Sequence, residues 1–356
     1  MLTLNLILNI LLLGIVPFFW GLALCFAVAG TGFIAFVLVS RKRKNLHAAQ
    51  LQEISAKCQP FLTELAFEGT IPEEYRDLEK QLRSTNNGKW IILNELIKIR
   101  KYFQGEAASY IEEYYTKNRL YKLSLNKLYS TKQHQKIVAI NEIMDMNYLG
   151  ATRSLLQFIH KEKSPELVSN ALIALTKLDY KLGLNRIIEQ DIYLSDWFQL
   201  QVIKILDEGK VYEIPPLVKW TKKSTSHALM GLRLLIFSGA MDQMDELSSL
   251  LNHENDKLRL ETIKAFRTLE YDEISFTLIL RYYNEPTRNK CEIIRTLEVL
   301  NYKQNLAFIR LCAKSDDSEI QRVAKEALRR LTPEEIRLGV NAPIIHLFTP
   351  TLQRAV

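Results

Sequence analysis

The side chains with intrinsic reactivity in this 356-residue sequence are six histidines, four cysteines and a few adjacent acids. Their spacing decides what chemistry they could do. Cys25, Cys58, Cys291 and Cys312 form no CxxC pair and have no histidine at metal-ligand spacing, so they read as reduced, small apolar residues. His47, His134, His160, His227, His253 and His346 are scattered along the chain. The densest polar run, His253, Glu254, Asn255 and Asp256, has the residue types of a metal site but falls at an expected turn, where such residues cap helices. Asp316 with Asp317, and Glu112 with Glu113, are neighbours in sequence and therefore do not face each other across a catalytic gap. The sequence has no GxSxG elbow, no GxGxxG, no Walker-type phosphate loop and no HExxH. The expectation is no catalytic residue, no metal and no cofactor.

One stretch has the composition of a binding surface. From Gln81 to Ile137 there are 11 basic against 4 acidic side chains, in a chain of formal net charge +7. Aromatics are interleaved among them: Lys98, Arg100, Lys101 and Tyr102, then Tyr110, Tyr114, Tyr115, Lys117, Arg119, Tyr121, Lys122 and Lys127. Such a pattern fits nucleic acid, with phosphate contacts and base stacking. It fits equally an acidic protein surface or anionic lipid headgroups, at about 1 kcal/mol per basic residue near the bilayer. It fits also a solvated helical face whose tyrosines pack inward.

A hydrophobic leader bears on that choice. Residues 1–40 carry no charged side chain. As helix they would run about 60 Å, against a hydrocarbon core of about 30 Å. Pro17, with Gly14 nearby, is expected to divide the run, leaving one span from Phe18 to Val39 preceded by an interfacial or luminal segment. A two-pass hairpin is the alternative. A cleaved signal peptide is disfavoured because no Lys or Arg precedes the apolar core, and cleavage after Ala29 would leave another apolar run. Arg41, Lys42, Arg43 and Lys44 form a stop-transfer cluster at 41–45, which by the positive-inside rule places the bulk of the chain in the cytoplasm at a bacterial inner membrane. Phe18, Phe19 and Trp20 would sit near the opposite interface. A chain so held has poor access to a chromosome, which favours lipid or protein partners over nucleic acid.

The elements that position these residues read as helices throughout, since 13 glycines and 10 prolines are few for a turn-rich fold. Residues 46–130 show helical apolar spacing over 46–66, 72–84, 89–103 and 106–129, with breaks expected near Pro60, Pro72 and Gly88. From 131 to 331 a pattern recurs. Apolar or small residues stand 4, 7, 8 and 11 positions after Leu167, Phe198, His227, Leu258, Asn289 and Ile320, starts separated by 31, 29, 31, 31 and 31 residues. A weaker copy begins at Gln135, with Glu142 breaking the frame. A further helix precedes each copy, so each unit is a helix pair. Ser164, Ser195 and Asp317 stand where N-caps are required.

The segments SPELVSNALIALTKL, NDKLRLETIKAFRTL and DSEIQRVAKEALRRL resemble HEAT repeats, particularly the short kind of about thirty residues found in bilin-lyase-like proteins. The resemblance covers roughly Asn126 to Leu331. It implies an all-α fold: a right-handed α-solenoid of about seven HEAT-like helix pairs, preceded by an N-terminal transmembrane segment and closed by a cap or tail over 332–356. It also implies a membrane-anchored scaffold or adaptor for protein partners. The layout resembles accessory subunits of a membrane glycosyltransferase or polysaccharide export machine. An enzyme or lyase subunit built on the repeats, and a nucleic-acid-binding solenoid, are the alternatives that the same resemblance leaves open.

Overall fold

The computed structural model describes residues 2–300 and 302–330. All regular structure among them is helical, with no strand. The chain divides into two compact units, Met1–Leu123 and Ser124–Val356.

In the first unit α1 runs from Leu2 to Glu68 as one continuous helix. The breaks expected at Pro17 and Pro60 do not occur. A proline inside a helix removes one backbone hydrogen bond, a loss that neighbouring packing or a membrane setting can absorb. At Pro60, which faces solvent, the flanking turns are fixed by burial of Cys58, Phe61, Leu62, Leu65 and Ala66. These residues pack against α3 (Asn86–Arg100) and α4 (Gly105–Lys117), while the short α2 (Arg76–Ser84) packs on α3. The third expected break falls at Thr85, whose hydroxyl accepts from the Gly88 N–H at 3.0 Å and starts α3. Gly88 has its own reason: an added Cβ would stand 2.1 Å from the Leu82 carbonyl oxygen, so only glycine lets α2 and α3 meet this closely.

One stretch among the described residues is long and apolar enough to cross a membrane, Leu24–Lys42 in α1, and none of it is buried. Trp20, Phe26, Phe33 and Phe36 are all at least two-thirds exposed. The side chains of Phe18, Phe19, Arg43 and Lys44 lie outside the described residues, as do Leu331 and the whole of 332–356.

α5 (Tyr121–Leu128) bridges the boundary in sequence. The second unit continues with α6 (Gln133–Asp145), α7 (Thr152–Lys161), α8 (Pro165–Leu178), α9 (Tyr180–Glu189), α10 (Asp196–Glu208) and α11 (Leu217–Thr221). It is completed by α12 (Thr225–Ser238), α13 (Met244–Ser249), α14 (Asp256–Thr268), α15 (Ser275–Tyr282), α16 (Thr287–Val299), α17 (Tyr302–Cys312) and α18 (Ser318–Arg330). The even-numbered helices pack in series: α6 on α8, α8 on α10, α10 on α12, α12 on α14, α14 on α16, α16 on α18. α7 and α9 flank α8, α11 lies on α12, and α15 and α17 flank α16.

The residues of the sequence frame are the ones that fill this interior. Ala171, Ala174 and Leu175, Val202 and Leu206, Leu234 and Leu235, Ala265 and Phe266, Ile293 and Leu297, and Ala324 are all fully buried. Gly231 occupies a small position of the frame, and an added Cβ there would lie 2.5 Å from the Trp220 Cβ. The caps follow the same frame: Ser195 accepts from Phe198 N–H at 3.2 Å, Asn255 from Leu258 N–H at 3.1 Å, and Asp317 from Glu319 N–H at 2.9 Å. The polar run at His253–Asp256 is thus a helix start.

Polar contacts link residues about one frame apart. Asn289 donates to the Asp256 carbonyl, Thr296 to the Ile263 carbonyl, Asn305 to Ser275, and Thr287 to Asp317, across sequence gaps of 33, 33, 30 and 30 residues. Glu285, buried, accepts from Arg259 Nε at 2.9 and 3.0 Å and from Asn289 at 2.7 Å. Glu142, the acid that breaks the first copy, is buried and is satisfied by Ser124 at 2.7 Å and by an ion pair with Lys127.

Candidate functional site

The basic, tyrosine-rich stretch resolves into three groups with different fates. The first is internal wiring. Arg100 grips Glu112 through Nε at 2.9 Å and Nη2 at 2.7 Å and donates to the Phe103 carbonyl at 3.1 Å, tying α3 to α4. Tyr114 is buried and donates to Glu79 at 2.6 Å; burial, then that carboxylate, push its phenol far above the ordinary range. Glu79 also pairs with Arg83, which donates to Asn118. Tyr115 is wholly buried, and Lys117 pairs with Glu113 at 2.7 Å one turn away. Of the expected binding residues, Arg100, Tyr114 and Tyr115 serve the fold, each turned inward or tying one helix to another, whereas Lys117 stays exposed and pairs only within α4.

The second group stays on the surface. Arg119 and Lys122 are exposed beyond α4, with Arg119 in a left-handed turn (φ 55°), and outside this stretch Arg41 and Lys42 are exposed at the end of the apolar segment. Tyr121 is half-buried.

The third group forms a groove of about 410 Å³ between α1 and α3. Gln59 and Thr63 line it from α1; Glu95, Lys98 and Ile99 line it from α3, with Lys101 and Tyr102 just beyond the helix end. Tyr102 is 85% exposed. Lys98 pairs with Glu95 Oε1 at 2.6 Å, and Thr63 donates to the Gln59 carbonyl at 2.8 Å.

Glu95 is the residue that sequence reasoning passed over. It is only 3% exposed, and its second carboxylate oxygen, Oε2, is buried with no hydrogen-bond partner. The signal was present: Ile92, Glu95, Leu96 and Ile99 fall at i, i+3, i+4 and i+7, so an acid occupies the apolar stripe of α3. Its charge is felt by Cys58 on α1, whose thiol is pushed up to about 11, first by burial and then by Glu95. Cys58 is therefore held as the thiol and is no nucleophile.

The groove is remote from the apolar stretch. From Lys42 to Gln59 the continuous helix rises about 26 Å, several Debye lengths at physiological salt. Among the described residues no group of three or more His, Cys, Asp or Glu side chains is arranged to hold a metal ion. No protein-family model matches this chain, and no curated protein matches it.

Proposed function

We propose that this chain is a scaffold held at a membrane by α1, with the second unit forming a right-handed α-solenoid of HEAT-like helix pairs that docks a protein partner on the cytoplasmic side of a bacterial inner membrane. The observation that carries the reading is Leu24–Lys42: an apolar helical stretch with no residue buried, continuous with helix that is embedded in the core of the first unit. Each large apolar side chain left in water forgoes about 1.5–3 kcal/mol of burial, so a stretch with Phe26, Phe33, Ile34 and Phe36 all exposed demands a cover. A bilayer supplies one of the right thickness, and Arg41 and Lys42 stand exposed where the headgroups would begin.

The solenoid part rests on the serial packing of the even-numbered helices and on hydrogen bonds that recur at gaps of 30–33 residues. Each pair touches chiefly its neighbours, the condition for an extended binding face. An accessory role beside a membrane glycosyltransferase or polysaccharide export machine is our specific reading of such a layout. The inward roles of Arg100, Tyr114 and Tyr115 take two of the aromatics and one of the cations out of any outward-facing pattern, and weigh against the nucleic-acid alternative.

The test is fractionation of the full-length protein with a carboxy-terminal tag. It should stay in the membrane pellet after alkaline carbonate, be cleaved by protease only when the cytoplasmic face is open, and give one defined photo-crosslink to a membrane protein from probes on α8–α16. Release by carbonate, or protection of the tag in inverted vesicles, refutes the anchor and orientation; crosslinks spread over many unrelated proteins refute the scaffold.

A further inference from the structure

Three helices of the second unit, α13, α15 and α17, stand side by side. Asn305, early in α17, donates to the Ser275 hydroxyl at the start of α15 at 3.3 Å, and further along the rings of Phe308 and Tyr282 lie edge to face at 5.1 Å. On the other side, Arg281 near the end of α15 donates to Asn252, just beyond α13, at 2.6 Å. Leu247, Leu278 and Ile309, all wholly buried, hold the same place in the frame, eleven residues before Leu258, Asn289 and Ile320. The three helices therefore run in one direction, and each turns an equivalent face outward.

Those outward faces differ in chemistry. Met241–Asn252, which contains α13, has the acids Asp242, Asp245 and Glu246, all exposed, and no base. Tyr302–Lys314, which contains α17, has Lys303, Arg310 and Lys314 and no acid; both lysines are exposed and Arg310 is half-buried. Between them α15 carries an apolar stripe: Phe276, Leu280 and Tyr283, at i, i+4 and i+7, are each about half exposed, as is Leu311, one frame on, in α17.

An acid column, an apolar centre and a basic column restrict what can cover this face. A uniformly negative surface is repelled by the α13 acids, and a uniformly positive one by the α17 cations. The partner must carry both signs in the opposite order about an apolar centre. A second copy of the face, turned about a two-fold axis lying in the contact plane along α15, has that order by symmetry: α15 covers α15, and α13 of each copy covers α17 of the other. Asp242 and Lys303 stand at the amino-terminal ends of their columns, so this arrangement brings them together. Asp272 and Glu273, exposed at the same end of α15, lie near the axis and bound the contact there. Three helices about 10 Å apart and about 15 Å long give about 450 Å² per copy, or about 900 Å² in total, the size of a weak, reversible interface.

We propose that the outward face of α13, α15 and α17 is a self-association surface through which two copies of this chain form a two-fold dimer, with Phe276, Leu280 and Leu311 at its centre. The contact is independent of whether α1 enters a membrane.

The test is sedimentation of full-length protein in detergent micelles over about 1–100 µM, the range of a contact this small. Wild type should pass from monomer to dimer within that range. Leu280→Asp, at an exposed position, sets like charges together at the axis and should weaken the dimer by about tenfold or more. Asp242→Lys and Lys303→Glu should each weaken it by about tenfold, and the double variant should return to within about threefold of wild type, because the reversed pair still matches. The charge-reversal series decides the matter even where Leu280→Asp fails to fold. A protein still monomeric at about 100 µM overturns the proposal. So does a dimer indifferent to Leu280→Asp, as one held through α1 would be, or a double variant no tighter than its single parents.

Discussion

Gly231→Ala is the sharpest perturbation of the helix frame, because two effects of opposite sign meet at one methyl group. Alanine in place of an interior helical glycine improves helix propensity by about 1 kcal/mol. At Gly231 the new Cβ would stand 2.5 Å from Trp220 Cβ and 2.7 Å from Cγ, whereas carbon atoms pack at about 3.5–4.0 Å. Rotation of the indole gives no relief, since the nearer atom is bonded to the Trp220 backbone and Trp220 is wholly buried. The helices α11 and α12 must separate by about 1 Å, an overpacking that costs about 1–3 kcal/mol, with the upper half of that range expected where backbone must move. The steric term wins, and the net loss is about 1–2 kcal/mol. For a unit of this size that lowers Tm by about 2–8 °C. The assay is thermal unfolding of full-length protein in micelles, followed by far-ultraviolet circular dichroism and tryptophan fluorescence, with Gly231→Val as a graded, larger insult and Ala307→Gly, on the exposed face of α17, reporting propensity alone. A Gly231→Ala protein at least as stable as wild type would refute the close approach and the frame that places a small residue there.

Glu285→Ala should destabilise by about 1–3 kcal/mol, because it removes the buried acceptor shared by Arg259 and Asn289 while Arg259 keeps Asp256 and the His253 and Glu254 carbonyls, and Glu285→Gln by clearly less; chemical denaturation showing Glu285→Ala within about 0.5 kcal/mol of wild type would contradict the hub. Burial holds the His227 imidazole below its ordinary range. The unfolded chain therefore takes up the proton first, so stability is complete above pH 6.5 and declines as pH falls from there toward the lower folded value. His227→Gln should flatten the Tm profile between about pH 7 and pH 5, and an unchanged slope would remove His227 as its source. Cys58 and Cys312 are both pushed up to about 11, chiefly by burial. At pH 8 their thiolate fraction is on the order of one in a thousand, so intact-mass spectrometry should find them unalkylated by iodoacetamide until denaturant is added; rapid native labelling of either would show the burial to be wrong.

Local chemistry written in short stretches was legible before any coordinates. The frame at 4, 7, 8 and 11 marks one face of a helix, and its members Ala171, Leu175, Ala265, Phe266 and Ala324 are fully buried because a helical stripe has no other stable place in water. Caps at Ser195 and Asp317 were likewise readable, since an oxygen-bearing side chain before an apolar run satisfies otherwise orphaned N–H groups. Two prolines misled. Pro17 and Pro60 announce breaks by local rules, yet α1 runs through both; at Pro60 the cost of a missing hydrogen bond competes with packing of Cys58, Phe61 and Leu62 that sequence spacing does not register.

The basic stretch shows most clearly where sequence stops and structure begins. Composition located it, since charge and aromatic content are properties of residues. Which members turn inward depends on partners far away in sequence: Tyr114 on Glu79, Arg100 on Glu112, and Arg83 on Asn118. The Glu95 groove depends on α1 and α3 lying side by side, residues 59 and 63 meeting residues 95 to 102. Helix faces follow from a period of 3.6 residues and are fixed by neighbours in sequence; buried unpaired charge and concave surface arise only when separate helices exclude water between them.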